Sequence, residues 1–254
     1  MRILITNDDG VQAEGIQALA AYLNKQHDVF VVAPERERSA TGHGITMHKP
    51  LRVTEVKMRY CEKTALAVSG TPADCVKLAV EELMEKPPDV IVSGINCGAN
   101  MGTDILYSGT VSAAIEGTLN GFKSMAVSLD TENSFPDFSG AVKFSAKLIE
   151  IYFQNKMPAD TLLNVNIPDV PWEEVKGVQI TSLSTRKYVD SVERRQDPRG
   201  RPYFWLAGHI DDQGCQPDSD AAALKNNFIS ISPVHFDLTN YEIIEEISRW
   251  KINK

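Results

Sequence analysis

A chain of 254 residues with 43% hydrophobic and 24% charged residues holds enough apolar material for one large domain, or a core with an appended arm, which excludes disorder as the default. A formal net charge of -8 argues against a broad electrostatic surface for a nucleic-acid polymer or a membrane and leaves room only for local basic patches. Cys61, Cys75, Cys97 and Cys215 form no CxxC pair, zinc spacing or secreted disulfide framework, and no signal-peptide core or membrane-length apolar run occurs, so a soluble protein of the reducing cytoplasm is expected.

The first segment, MRILITNDDGVQAEG (residues 1–15), opens on Ile3, Leu4 and Ile5, too few for a helix and β-branched enough for a buried strand. Thr6, Asn7, Asp8 and Asp9 then lie where such a strand leaves its sheet, and Gly10 permits a sharp turn. In open α/β sheets that edge holds the ligand. Two adjacent carboxylates repel, so a cation holds them together or one takes up a proton. A divalent metal is the simplest resolution, and a turn closed by an Asx hydrogen bond is the alternative.

Ile16, Leu19, Ala20 and Leu23 recur at helical spacing, and VFVVA predicts a strand over 28–33 closed by Pro34. Strand, helix, strand implies a right-handed crossover in a parallel sheet. The next edge is PERERSATGHG (residues 34–44), a polar loop long enough to reach the site, with hydroxyls on Ser39 and Thr41 and alternating charges over 35–38 that read as a solvated run. Residues 51–56 and 65–68 predict a hairpin beside the parallel core. Thr71 is placed as the N-cap and Pro72 as the first residue of a helix running to about residue 86, ended by Pro87 and Pro88, and a strand follows over 89–92.

SGINCGANMG (residues 93–102) predicts a glycine-rich loop carrying Asn96 and Asn100, with the spacing of neither a Walker loop nor a dinucleotide fingerprint. Ser108, Gly109 and Thr110 then begin an Ala-rich helix through residue 119, where free amides, hydroxyls and the helix dipole favour a phosphate cradle over simple capping by Ser108. Beyond it come a strand over 124–129, a helix over 138–153 with Val142, Ser145, Ile149 and Tyr152 on one stripe, and short strands over 162–167 and 178–182. Residues 185–202 are charged and aperiodic, and the aromatic strand 203–206 after them completes a protruding hairpin or arm. A short helix over 218–224, a strand over 228–231 that can return to the core, and a terminal helix over 241–252 with Ile243, Ile244, Ile247 and Trp250 on its apolar face complete the chain. The expectation is an α/β fold, a mainly parallel sheet with helices on both faces, forming a catalytic core over 1–184 and an oligomerisation arm over 185–254.

A parallel sheet brings Asp8, Asp9, Ser39 and Asn96 to one edge. Two carboxylates, a hydroxyl and an amide are an all-oxygen set that suits Mg²⁺ or Mn²⁺ better than zinc. Few ligands leave positions open for water and a phosphoryl oxygen, with Ser108, Gly109 and Thr110 taking the remaining phosphate oxygens. Either Asp8 or Asp9 can serve as the base that accepts a proton from attacking water, and His43 is near enough in sequence to be weighed as a proton donor, although a loop histidine is more often simply exposed.

ILITNDDG with Glu14 and Gly15 after it, APERERSATGHG, SGTPADCV, VSGINCGANMG and YSGTVSAA follow one another over roughly the first half of the chain. Together they strongly resemble the stationary-phase survival protein SurE family of metal-dependent nucleotidases. The resemblance implies a Rossmann-like core and one divalent cation, Mg²⁺ or Mn²⁺, held by Asp8, Asp9, Ser39 and Asn96. It implies phosphate contacts from Asn96, Ser108, Gly109 and Thr110, and hydrolysis of nucleoside monophosphates at the 5' or 3' position, with short polyphosphate a further substrate of some members. It also implies dimers or tetramers built through C-terminal exchange.

The alternative class is a non-catalytic module, either a Mg²⁺-binding receiver or a nucleotide-binding regulator. A receiver needs an Asp at the end of its central strand, whereas Asp89 begins its strand and VIVSGIN offers none at the far end. A covalent aspartyl phosphatase is disfavoured because Asp8-Asp9-Gly10 lacks the nucleophile-x-acid spacing. Release of inorganic phosphate separates an enzyme from a regulator.

Overall fold

Alternation along the first strand sorts the chain into layers. The computed structural model describes residues 1–189, 192–206, 209–211, 216–250 and 252. Its first part runs β1 (Arg2–Thr6), α1 (Glu14–Leu23), β2 (Asp28–Pro34), β3 (Val53–Lys57), β4 (Thr64–Val68), α2 (Pro72–Leu78), β5 (Val90–Cys97), α3 (Gly109–Leu119), β6 (Lys123–Asp130), α4 (Ser139–Gln154) and β7 (Thr161–Pro168). The rest runs β8 (Val178–Ile180), β9 (Lys187–Val189), β10 (Val192–Gln196), β11 (Pro202–Leu206), β12 (His209–Asp211), α5 (Asp220–Lys225), β13 (Ile229–His235) and α6 (Ile244–Ser248).

Nine strands form one sheet in the order β3-β4-β2-β1-β5-β6-β7-β13-β8, with β4, β2, β1, β5, β6 and β7 parallel. β3 and β13 run antiparallel to β4 and β7, and β8 runs parallel to β13. Ile3 and Ile5 of β1 pack with Ile16 and Leu19 of α1 and Ile149 of α4, whereas Leu4 packs with Val76 of α2 and Ala113 of α3 on the other face. The mainly parallel sheet with helices on both faces is therefore as the sequence predicts. Burying each such Ile or Leu contributes about 1.5–3 kcal/mol, so this short run both anchors the sheet and fixes where the polar residues after it emerge.

Several boundaries differ from the sequence reading. β5 runs on through Ser93, Gly94, Ile95 and Asn96 where a loop was expected, with a bulge between Ser93 and Asn96. Gly94 permits this: its φ is +142°, and a Cβ there would lie 2.3 Å from the Val127 carbonyl oxygen. α2 ends in a wide turn in which the Met84 amide donates to the Ala79 carbonyl, so the helical stretch stops short of residue 86.

The C-terminal third has two parts. β10 and β11 form the expected antiparallel hairpin, and β13 returns to the sheet beside β7, the return allowed for the strand over 228–231. The terminal helix is shorter than expected, a turn over Tyr241–Ile243 and then α6, and residues 237–250 are all exposed. Cys215, and Asp190, Ser191 and Lys254 of the expected arm, lie outside the described residues.

Candidate active site

The parallel strands β1, β2 and β5 deliver three segments to one edge. Asn7 closes the turn after β1 by donating from Nδ2 to the Gly10 carbonyl at 2.9 Å. Gly10, at φ +97°, sits against the backbone of Arg36, where a Cβ would approach within 3.1 Å. The Arg38 amide donates to the Asp8 carbonyl at 2.7 Å and the Val11 amide to the Pro34 carbonyl at 2.8 Å, so the loop carrying Ser39 is tied backbone to backbone onto the acidic turn. From β5, the Cys97 amide donates to Asp9 Oδ2 at 3.2 Å. The Asp8 backbone is thus joined to the segment bearing Ser39, and the Asp9 carboxylate to the segment bearing Asn96.

Asp8 is buried, and the N-terminus of α3 is built around it. Thr110 Oγ1 donates to Asp8 Oδ1 at 2.5 Å, and a Cβ on Gly109 would lie 2.7 Å from Asp8 Cβ. Ser108 Oγ accepts from the Val111 amide, which is helix capping. The Thr110 hydroxyl therefore faces Asp8 here, a contact between residues 102 positions apart that sequence reasoning did not anticipate. Ser39 is exposed, and its hydroxyl donates to Glu37 Oε1 at 2.7 Å. Asn96 Nδ2 donates to the Gly98 carbonyl at 2.7 Å, which leaves Oδ1 as the end of the amide available to a cation.

Electrostatics single out the pair. Burial pushes the Asp8 carboxyl up, opposed chiefly by the Thr110 hydroxyl. Burial, and after it the charge of Asp8, push Asp9 up to about 7. Glu37 adds negative charge to both. Two desolvated carboxyls with a third acid nearby need positive charge to ionise together, and a divalent cation supplies it. Among the described residues no group of three or more His, Cys, Asp and Glu is placed to hold a metal ion, so a cation here would draw on neutral oxygens as well, of which Ser39 and Asn96 offer two. Two carboxylates with neutral oxygens fit a hard cation with open positions.

The loop from Gly98 to α3 is fixed from behind. Asn100 is bracketed by Asn166, whose Oδ1 accepts its amide, and by Ser128, Asn164 and Asn166 Nδ2. Asp220, wholly buried at the start of α5, accepts the Gly102 amide at 2.7 Å and the Ser184 amide at 2.9 Å. His43, in the loop with Ser39, meets Glu116 of α3 at 2.8 Å. Sequence reasoning missed Glu116 and Asp220, since a single acid inside a helical pattern gives no sign of a partner far along the chain.

Comparison with known proteins places this geometry. A family model described as Survival protein SurE matches residues 3–190. A 5'-nucleotidase SurE of Moorella thermoacetica is 54% identical over 250 residues, covering 98% of this chain and 96% of the relative. One of Carboxydothermus hydrogenoformans is 51% identical over 254 residues, with the same coverages. Among solved structures, the SurE protein of Aquifex aeolicus superposes with a TM-score of 0.86 at 38% identity and covers 98% of both chains.

Proposed function

The chain belongs to the survival protein SurE family, and from that premise we propose that it is a 5'-nucleotidase, a metal-dependent phosphomonoester hydrolase acting on nucleoside 5'-monophosphates. The observation that carries the reading is the pair of buried Asp8 and half-buried Asp9, tied at one sheet edge to the segments that carry Ser39 and Asn96. In this reading Asp8, Asp9, Ser39 Oγ and Asn96 Oδ1 hold one Mg²⁺ or Mn²⁺, and Asn96, Ser108 and Gly109 bind the phosphate, while Thr110, placed among the phosphate contacts by the sequence, turns its hydroxyl to Asp8 and holds that carboxylate. The cation supplies Lewis acidity toward a phosphoryl oxygen. One oxygen of each carboxylate is engaged, Asp8 Oδ1 by Thr110 and Asp9 Oδ2 by the Cys97 amide, and Asp9, pushed up to about 7, is the carboxylate suited to accept a proton from attacking water. The Gly109 amide and the Ser108 hydroxyl proton stabilise charge on the phosphoryl oxygens.

A phosphate-release screen of 5'- and 3'-nucleoside monophosphates and short polyphosphate, run with Mg²⁺, Mn²⁺ and chelator, tests this. Metal-dependent release from 5'-monophosphates is expected, and no release from any substrate would leave a nucleotide-binding module.

Metal binding is expected to depend on pH with a defined sign. The folded protein holds a proton on Asp9 up to about pH 7, and that proton competes with the cation. The rise in melting temperature on adding Mn²⁺ should therefore be larger at pH 8 than at pH 6. Equal rises would remove Asp9 from the ligand set.

We further place the protein in the cytoplasm as a homo-oligomer. Cys61, Cys75 and Cys97 are free thiols, consistent with a reducing compartment, and among the described residues no helix is long and apolar enough to cross a membrane. Phe204 and Trp205 on β11 and Ile243, Ile244 and Trp250 at the C-terminus are exposed, an apolar surface that a second subunit would cover. Light scattering at low micromolar concentration should give a dimer or tetramer, and a chain ending at His235 should associate more weakly. A full-length monomer would overturn this.

A further inference from the structure

Ser39 sits in a loop that is exposed along most of its length; the Arg38 amide ties the backbone before it to the Asp8 carbonyl, but none of its local bonds reaches α3. Its hydroxyl goes to Glu37, and Thr41 Oγ1 donates to the Arg38 carbonyl at 2.9 Å. Hold on the turn before α3, and then on α3 itself, comes next in the chain. The Gly42 amide donates to the Tyr107 carbonyl at 3.0 Å, with Gly42 at φ +55° packed against the Leu106 carbonyl. His43 Nε2 then meets Glu116 Oε2 at 2.8 Å. Beyond it, Thr71 Oγ1 donates to the Gly44 carbonyl, and Asp74 accepts from both the amide and the hydroxyl of Thr46. His43 is the first side chain after Ser39 to reach α3, the helix whose N-terminus holds Asp8 and the proposed phosphate contacts.

Glu116 gives this contact its weight. It is an acid 7% exposed in the interior of a helix, where burial is costly unless its oxygens are satisfied. Asn120 Nδ2 donates to Oε1 at 3.0 Å, a local bond one turn along, which leaves Oε2 to His43. The His43 hydrogen bond is also the main reason the Glu116 carboxyl lies below its ordinary range.

We propose that His43 and Glu116 form a positioning clamp that sets Ser39 against the N-terminus of α3, so that the hydroxyl ligand and the two carboxylates meet one cation. Neither residue touches the cation or the reacting atoms. The inference rests on the metal site proposed above, because a clamp on Ser39 matters to the cation only if Ser39 is a ligand.

The test measures Mn²⁺ binding to the full chain by titration calorimetry, apart from turnover, with melting temperatures taken in chelator. His43→Ala and Glu116→Ala should each weaken Mn²⁺ binding by about 10-fold, the scale of a lost partner behind a metal ligand. The double variant should bind no worse than either single one, because the two residues act as one unit. Glu116→Gln keeps an acceptor of the same shape and should restore most of the affinity, a rescue that a role in stability alone does not require. His43→Ala lies in an exposed loop and reads the clamp even where Glu116→Ala lowers the melting temperature. Unchanged Mn²⁺ affinity in His43→Ala, or losses that multiply in the double variant, would overturn the clamp. Asp9→Asn separates the two levels of inference. If it binds Mn²⁺ as the parent does, the metal site itself is wrong; if it fails to bind while His43→Ala binds normally, only the clamp is.

Discussion

Asp9→Asn is expected to lower phosphate release by roughly 10³-fold with the fold intact, since loss of one anionic ligand removes several kcal/mol of charge stabilisation and each 1.36 kcal/mol is tenfold in rate. Asn keeps the shape of the side chain and an oxygen for the Cys97 amide. The same substitution should stabilise the metal-free protein. Asp9 has its folded-state pKa raised from 3.8 to about 7, so its ionisation costs stability as pH rises through that window, and the full cost is present at pH 8. The melting temperature of Asp9→Asn in chelator should therefore exceed that of the parent at pH 8, with the gap closing toward pH 4. Asp8→Asn should be equally inactive, whereas Ser39→Ala and Asn96→Ala, which remove neutral oxygens, should lose less. Undiminished turnover by Asp9→Asn, or by the parent in excess chelator, would sink the metal mechanism.

Gly109→Ala is expected to act nearly as strongly through shape alone. The added methyl would lie 2.7 Å from Asp8 Cβ and 2.8 Å from Asp8 Oδ2, and Asp8 is only 5% exposed, held between the β1 turn and α3. Overpacking of this kind costs about 1–3 kcal/mol. The larger consequence is chemical: a carboxylate moved by about 1 Å leaves its ligand position, and misplacement on that scale can cost roughly 10²-fold. Steady-state kinetics with a melting curve would check both effects, and parental kcat would show that Asp8 tolerates the shift. Alanine is the better helix former, so any loss of stability has to come from this contact.

The sequence made the strands legible wherever apolar, β-branched runs end on polar residues, as at Ile3 to Ile5 and at the run ending in Pro34. α4 was equally clear, because Val142, Ser145, Ile149 and Tyr152 fall on one stripe and all four are buried. β5 was cut short in the sequence reading because Gly94 and Asn96 carry turn-like chemistry, and only the neighbouring strand β6 shows that the backbone continues through a bulge. The terminal helix pattern over 241–252 predicted more helix than α6 forms: among the described residues 241–250 are all exposed, so no packing against the sheet supports the apolar face. The candidate site divides in the same way. Asp8 and Asp9 stand out by adjacency, while Thr110, Glu116 and Asp220 acquire meaning only from partners that the fold brings across the sheet edge.

Asp220 carries a consequence for how this chain can vary in length. One oxygen holds Gly102, where the glycine-rich loop turns toward α3, and the other holds Ser184, where the chain leaves the sheet for the β10–β11 hairpin. A Cβ on Gly102 would come within 2.3 Å of the Ser184 carbonyl oxygen, so the two strands of backbone are pressed together at this point. With both ends of the excursion knotted to one carboxylate, the hairpin is free to grow, shrink or be exchanged as a cassette, and the glycine-rich loop that turns at Gly102 toward α3 keeps its place.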